Sequence, residues 1–335
     1  MPNMAGIDGM VAESPVAANY TLQMIWDGAP HCAFTDLVRF KNRWFCTFRE
    51  AKAHALCPGK IRVISSMDGR QWTSVALISQ RSVDLRDPKF LVLSPKKILL
   101  VTGATRLVKG VPVGRHTLFR ESEDGQKWSE GWQAGSEGDW LWRPETDGKA
   151  VYGISYRLPE KRRWTVHLMK SADGREWHDL CELRVPGLPN EAVIRFRGST
   201  AIALVRREAG RGAARIGTSE PPYTRWTWAS SGQRIGGPNF IVLEDGTLLA
   251  ATRIWKKRKP LVALCLMKGD SLSVIHELPS GGDCGYPGMA VHRKTLHVSY
   301  YSSHEGRSRI YLAVYPPGLL KALCETSANT LHSSM

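Results

Sequence analysis

No apolar run in this chain of 335 residues approaches the ~20 needed to cross a bilayer as a helix. No basic region followed by a hydrophobic stretch opens the chain, so no secretory signal is expected. Helical periodicity is nearly absent, and only 319–324 reads as a helical turn. The seven cysteines are odd in number and irregular in spacing. Cys32, Cys46 and Cys57 fit no metal-ligand pattern, so reduced thiols in a cytoplasmic protein are expected, mostly as core fillers. Acidic residues are scarce, 31 against 46 Lys and Arg, leaving a formal charge of +15. That balance favours an anionic ligand or surface, whether acidic sugar, nucleic acid or anionic lipid. The cations are scattered and form no recognisable nucleic-acid module, so nucleic-acid association rests on charge alone.

What the chain does have is a repeat. Ser66-Met67-Asp68-Gly69-Arg70-Gln71-Trp72 returns as Ser122-Glu123-Asp124-Gly125-Gln126-Lys127-Trp128 and as Ser171-Ala172-Asp173-Gly174-Arg175-Glu176-Trp177. The pattern Ser-x-Asp-Gly-x-x-Trp combines a tight hairpin turn with a large apolar anchor. Its period, about 50 residues, is that of a propeller or solenoid. Weak copies fall where that period puts them. Ser219 and Trp226 flank Pro221-Pro222, and Lys268-Gly269-Asp270-Ser271 keeps only the turn.

Six pairs of β-rich runs follow the same rhythm: 35–40 with 44–48, 89–93 with 98–102, 141–144 with 150–156, 192–196 with 200–206, 240–243 with 247–253, and 289–292 with 295–301. Most are joined by turn formers such as Asp147-Gly148 or Asp245-Gly246. These features predict an all-β chain, a six-bladed β-propeller of four-stranded antiparallel blades. A β-solenoid is the alternative, though its repeats are normally shorter. The expected layout is a loose tail over 1–22, one propeller domain over 23–318 and a C-terminal tail over 319–335. Strand 309–315 is expected to close the ring with N-terminal residues.

The repeated heptad resembles a shortened Asp box, the turn of the sialidase (neuraminidase) superfamily and its bacterial neuraminidase repeats. The resemblance covers nearly the whole chain through repeat phase. It implies a retaining exo-glycosidase for a terminal anionic sugar, sialic acid or another 2-keto-3-deoxy acid. Such enzymes use a Tyr nucleophile, a Glu as its base, an Asp acid/base and three Arg on the substrate carboxylate. A neutral phenol avoids the repulsion that this carboxylate exerts on an anionic nucleophile. Carried over, Tyr286 is the nucleophile and Glu191 its base. Arg49, Arg206 and Arg258 hold the anion, with Arg253 competing for the place of Arg258. No cofactor and no metal is implied.

The chain also departs from that pattern. The position of the first Arg is Ala33, and that of its supporting Glu is Tyr301. His31 is a replacement donor. The loop after Arg49 lacks an Asp, so His54 is the candidate acid/base, imidazole being the side chain suited to proton transfer near neutrality. Asp36 and Asp87 are held in reserve. Arg86, Asp87, Arg143 and Asn239 stand at unit openings that face the cavity, so sugar contacts are expected there. Trp140 is a ring platform and Trp142 is core. With the first Arg and the loop Asp missing, the alternative is a propeller that binds carbohydrate or protein without catalysis.

Overall fold

The computed structural model describes residues 19–332 apart from 56, 161, 162 and 211. After β1 (Thr21–Trp26), the first blade is β2 (His31–Phe40), β3 (Arg43–Ala51), β4 (Lys60–Ser66) and β5 (Thr73–Ile78). The second is β6 (Val83–Ser94), β7 (Lys97–Val108), β8 (Val111–Ser122) and β9 (Trp132–Ala134). The third is β10 (Trp140–Thr146), β11 (Val151–Glu160), β12 (Arg163–Ser171) and β13 (His178–Glu182). The fourth is β14 (Pro189–Arg197), β15 (Thr200–Arg207), β16 (Ala213–Ser219) and β17 (Thr227–Arg234). The fifth is β18 (Gly236–Val242), β19 (Leu248–Lys256), β20 (Lys259–Lys268) and β21 (Ser271–Glu277). The sixth, β22 (Cys284–His292), β23 (Thr295–Ser302) and β24 (Arg309–Tyr315), takes β1 as its fourth strand. The result is a six-bladed propeller of four-stranded antiparallel sheets, as the repeat predicted. Radial closure leaves only short outer edges.

The ends of the chain add two details. The closing strand begins at Thr21, inside the stretch read as a loose tail, and residues 1–18 of that stretch lie outside the described residues. The C-terminal stretch carries α1 (Pro317–His332), whose Leu319, Leu320 and Leu323 are buried in one cluster with Tyr315 and Leu296.

Each Ser-x-Asp-Gly-x-x-Trp turn joins the third and fourth strands of a blade, at the face away from the starts of the inner strands. The turn satisfies itself. Ser66 Oγ accepts from Gly69 N at 2.9 Å, and Asp68 accepts from the Arg70 and Gln71 amides at 2.8 and 3.0 Å. The Trp72 indole donates to Gly69 O at 3.1 Å. The degenerate fourth copy keeps that anchor, with Trp226 donating to Tyr223 O at 2.8 Å.

A second repeat lies on the inner strands. Each inner strand breaks register near its start, so that two of its residues oppose one: Phe34-Thr35, Asp87-Pro88, Arg143-Pro144, Asn190-Glu191, Gly237-Pro238 and Tyr286-Pro287; β6 shifts again between Val92 and Ser94. These are β-bulges, which bend a strand and re-aim its side chains. Proline, lacking a donor, is tolerated at such a break. Five of the six leading residues have positive φ, namely Phe34 (64°), Asp87 (48°), Arg143 (34°), Gly237 (57°) and Tyr286 (51°). Only one of them is Gly. The others hold a conformation that costs an L-residue free energy, over-determined here by the ring around them.

Candidate active site

The bulges bring Tyr286 and Glu191 together from the sixth and fourth blades. The Tyr286 phenol donates to Glu191 Oε1, and both side chains are buried. Glu191 Oε2 accepts from Arg206 Nη1 and from Gly237 N, each at 2.8 Å. Gly237 cannot be larger, because a Cβ there would lie 2.7 Å from the Tyr286 ring. Burial, then the charge on Glu191, push the phenol well above its usual pKa. Burial also acts to raise Glu191, but Arg206 and the phenol's hydrogen bond outweigh it and hold the carboxyl below its usual range. The pair is therefore a neutral phenol on an ionised carboxylate.

Both terminal nitrogens of Arg206 are taken by acids, the second pairing with Glu208, while its Nε is buried without a partner. Arg253 stands over the Tyr286 ring, 5.7 Å from the centroid, and donates to Cys284 O at 3.0 Å. Arg86 lies over Phe34 at 4.9 Å, and Phe34 packs against Tyr286 with centroids 4.8 Å apart. Arg258 is elsewhere. It is exposed in the turn between β19 and β20, which corrects the expectation that it holds the anion. Arg253, the competitor for that place, is the residue whose pairing with Gly236 brings it to the cavity.

Arg49 is wholly buried and pairs with Asp84 at 2.7 Å. It also donates to Ala53 O at 2.8 Å and Cys57 O at 3.2 Å. It clamps the loop bearing His54 from beneath and has no surface to offer a ligand. Gly59 permits the clamp, since a Cβ there would lie 2.3 Å from Arg49 Nε.

His54 reaches across the mouth to a partner that sequence reasoning missed. Asp283 Oδ2 receives His54 Nδ1 at 2.7 Å and His31 Nε2 at 2.8 Å, while Tyr301 donates to Oδ1 at 2.9 Å. Burial acts to raise the Asp283 pKa, but these hydrogen bonds, with the charge of His54, hold it far below the usual range. The departures at Ala33 and Tyr301 are thus matched by a new tie between the same blades. The ligand atoms of His31, His54 and Asp283 lie within 4.8 Å of one another, close enough to share an ion. An ion on His31 Nε2, however, would force a proton onto its Nδ1, which is buried without a partner. The cluster fits a hydrogen-bonded relay better than a metal centre.

The remaining candidates divide between wall and floor. Asp87 Oδ2 accepts from the Trp140 indole at 3.1 Å, while its Oδ1 is buried and unpartnered. Burial outweighs Arg86 and Lys89 and raises the Asp87 pKa. Asp36 belongs to the floor, where it accepts from Arg143 at 2.6 Å and Phe90 N at 2.8 Å. Arg143 and Asn239 both donate to Pro287 O, at 2.6 and 3.2 Å. Lys89 donates to Thr35 O and Pro88 O at 3.2 and 3.0 Å. Asp36, Arg143 and Asn239 therefore hold the bulges in place, and apart from the buried Arg143 Nε, which has no partner, their polar atoms meet protein groups.

The fold is that of sialidases and of at least one other glycoside hydrolase. A protein of unknown function from Dyadobacter fermentans superposes with a TM-score of 0.77 at 18% identity, over 88% of this chain and 98% of that one. Trypanosoma rangeli sialidase bound to the inhibitor DANA gives 0.69 at 13% identity, over 91% of this chain, which spans 58% of the sialidase. The α-L-arabinofuranosidase Arb93A of Fusarium graminearum gives 0.65 at 11% identity, over 88% and 97%. No protein-family model and no curated protein sequence matches the chain.

Proposed function

We propose that the protein is a retaining exo-glycosidase that removes a terminal anionic sugar, sialic acid or another 2-keto-3-deoxy acid. The observation that carries this reading is the hydrogen bond from Tyr286 to Glu191, made across 95 residues of sequence. Glu191 takes the phenolic proton as Tyr286 Oη bonds to the anomeric carbon. His54, held by Asp283 through Nδ1, gives a proton from Nε2 to the departing oxygen. In the second half, His54 draws a proton from water as that water attacks the anomeric carbon. The Tyr286–carbon bond breaks, and Glu191 returns its proton to the phenol. Two inversions give net retention. Arg253 and Arg86 flank Tyr286 and supply the cations for the sugar's carboxylate. Arg206 serves Glu191.

A Tyr286→Phe protein tests the scheme against umbelliferyl glycosides of 2-keto-3-deoxy acids, with intact-mass spectrometry to trap the adduct. Turnover by the wild type and its loss in the variant are expected. Full activity in the variant would sink the mechanism. A second reading, binding without catalysis, draws on Ala33 and on the carboxylates that occupy both terminal nitrogens of Arg206. Tight binding of an acidic sugar, with no turnover across the panel, would select it.

A further inference from the structure

The hairpin of β7 and β8 is the longest of those joining a second to a third strand, each strand running 12 residues. Val83, where the inner strand starts, pairs with Arg106, so the tip overhangs the blade on the face where the site opens. Lys109 (φ 49°) and Gly110 (φ 82°) make its two-residue turn. Val108 pairs with Val111 across the turn, and Val113 stands at a register break of β8, where the pairing passes from Leu107–Pro112 to Arg106–Gly114, so the three valines lie within six residues at the tip. They are 57%, 60% and 51% exposed, three of the most exposed apolar side chains among the described residues. The corresponding hairpin of the third blade exposes Leu158 and Arg163. Of the described cations in the two hairpins, Lys109 and Arg163 are exposed, whereas Arg106 faces Glu137 and Arg157 faces Asp139 and Asp179.

We propose that this tip is a contact for an anionic lipid bilayer. The valines enter the boundary between headgroups and acyl chains. Lys109 and Arg163 engage lipid phosphates. A folded protein partner fits less well, because a stable interface covers about 800 Å² on each side and a hairpin tip offers a small fraction of that. The chain's charge of +15 attracts it to the same kind of surface. The site would then open toward glycans borne at the membrane. This inference stands apart from the catalytic reading and survives its failure.

The experiment is co-sedimentation of the full chain with vesicles of phosphatidylcholine, alone or mixed with phosphatidylglycerol. Binding to the mixed vesicles, weakened by salt, is expected. The triple variant Val108→Ser, Val111→Ser, Val113→Ser should lose about tenfold in partition with an unchanged thermal midpoint, and Lys109→Glu should weaken it further. A triple variant that binds as well as the wild type overturns the proposal. So does a wild type that ignores anionic vesicles at low salt. So does a wild-type dimer, seen by sedimentation velocity, that the triple variant abolishes.

Discussion

Arg49 and Asp84 form an ion pair with no solvent access on the arginine side, directly beneath the loop that presents His54. A buried pair of this kind adds little over an apolar substitute, but losing one partner leaves a charge stranded. Arg49→Met should therefore cost about 3–5 kcal/mol in denaturant unfolding. A shift under about 0.5 kcal/mol would show that the clamp is dispensable.

Glu191→Gln removes the proton acceptor of Tyr286 but keeps its shape. Turnover should fall by about 10²–10⁴-fold with the substrate's KM little changed. An unchanged kcat would remove Glu191 from the chemistry.

The two candidate arginines of the fifth blade make a matched comparison. Arg253→Ala should raise KM for an acidic sugar by about tenfold or more, since it deletes a cation beside Tyr286. Arg258→Ala, in an exposed turn, should be silent. The reverse ranking in a steady-state assay would mean that the β19–β20 hairpin folds over the site.

Lys89 gives stability a pH dependence. Burial, aided by Arg143, pushes its pKa down to about 7 from 10.5. Between those values the unfolded chain binds more protons than the folded one, so folding gains stability as pH rises through that window. Below about 7 both states are protonated and the full penalty stands. Wild type should thus gain on Lys89→Met between pH 7 and 10.5, by thermal or denaturant unfolding. Parallel curves for the two proteins would refute the shift.

The parts of the molecule legible in sequence are those whose physics is local. Ser66, Asp68 and Gly69 serve each other within one turn, so the heptad announces itself and sets the blade count. Tyr286 and Glu191 were legible because both stand at bulges that keep blade phase. The bulges left a sign of their own that went unread: Pro88, Pro144, Pro238 and Pro287 repeat at the inner strands, interrupted by Thr35 and Glu191. Counting along the chain favoured Arg258, whereas cross-strand pairing with Gly236 selects Arg253. Asp283 left no linear sign, because its histidine partners are 252 and 229 residues away. Arg49 was visible as a cation, but its burial depends on Asp84 in the next blade.

Strand β1 clasps β24, so the first described strand waits for the last before the ring shuts. His31 and His54 lie in the first blade and Asp283 beside the sixth, on either side of that clasp. During synthesis β24 must therefore be delivered before the clasp can hold these histidines against Asp283. A chain that stops short of β24 lacks the strand that β1 pairs with, so under the mechanism proposed above it should show no turnover, however complete its other five blades.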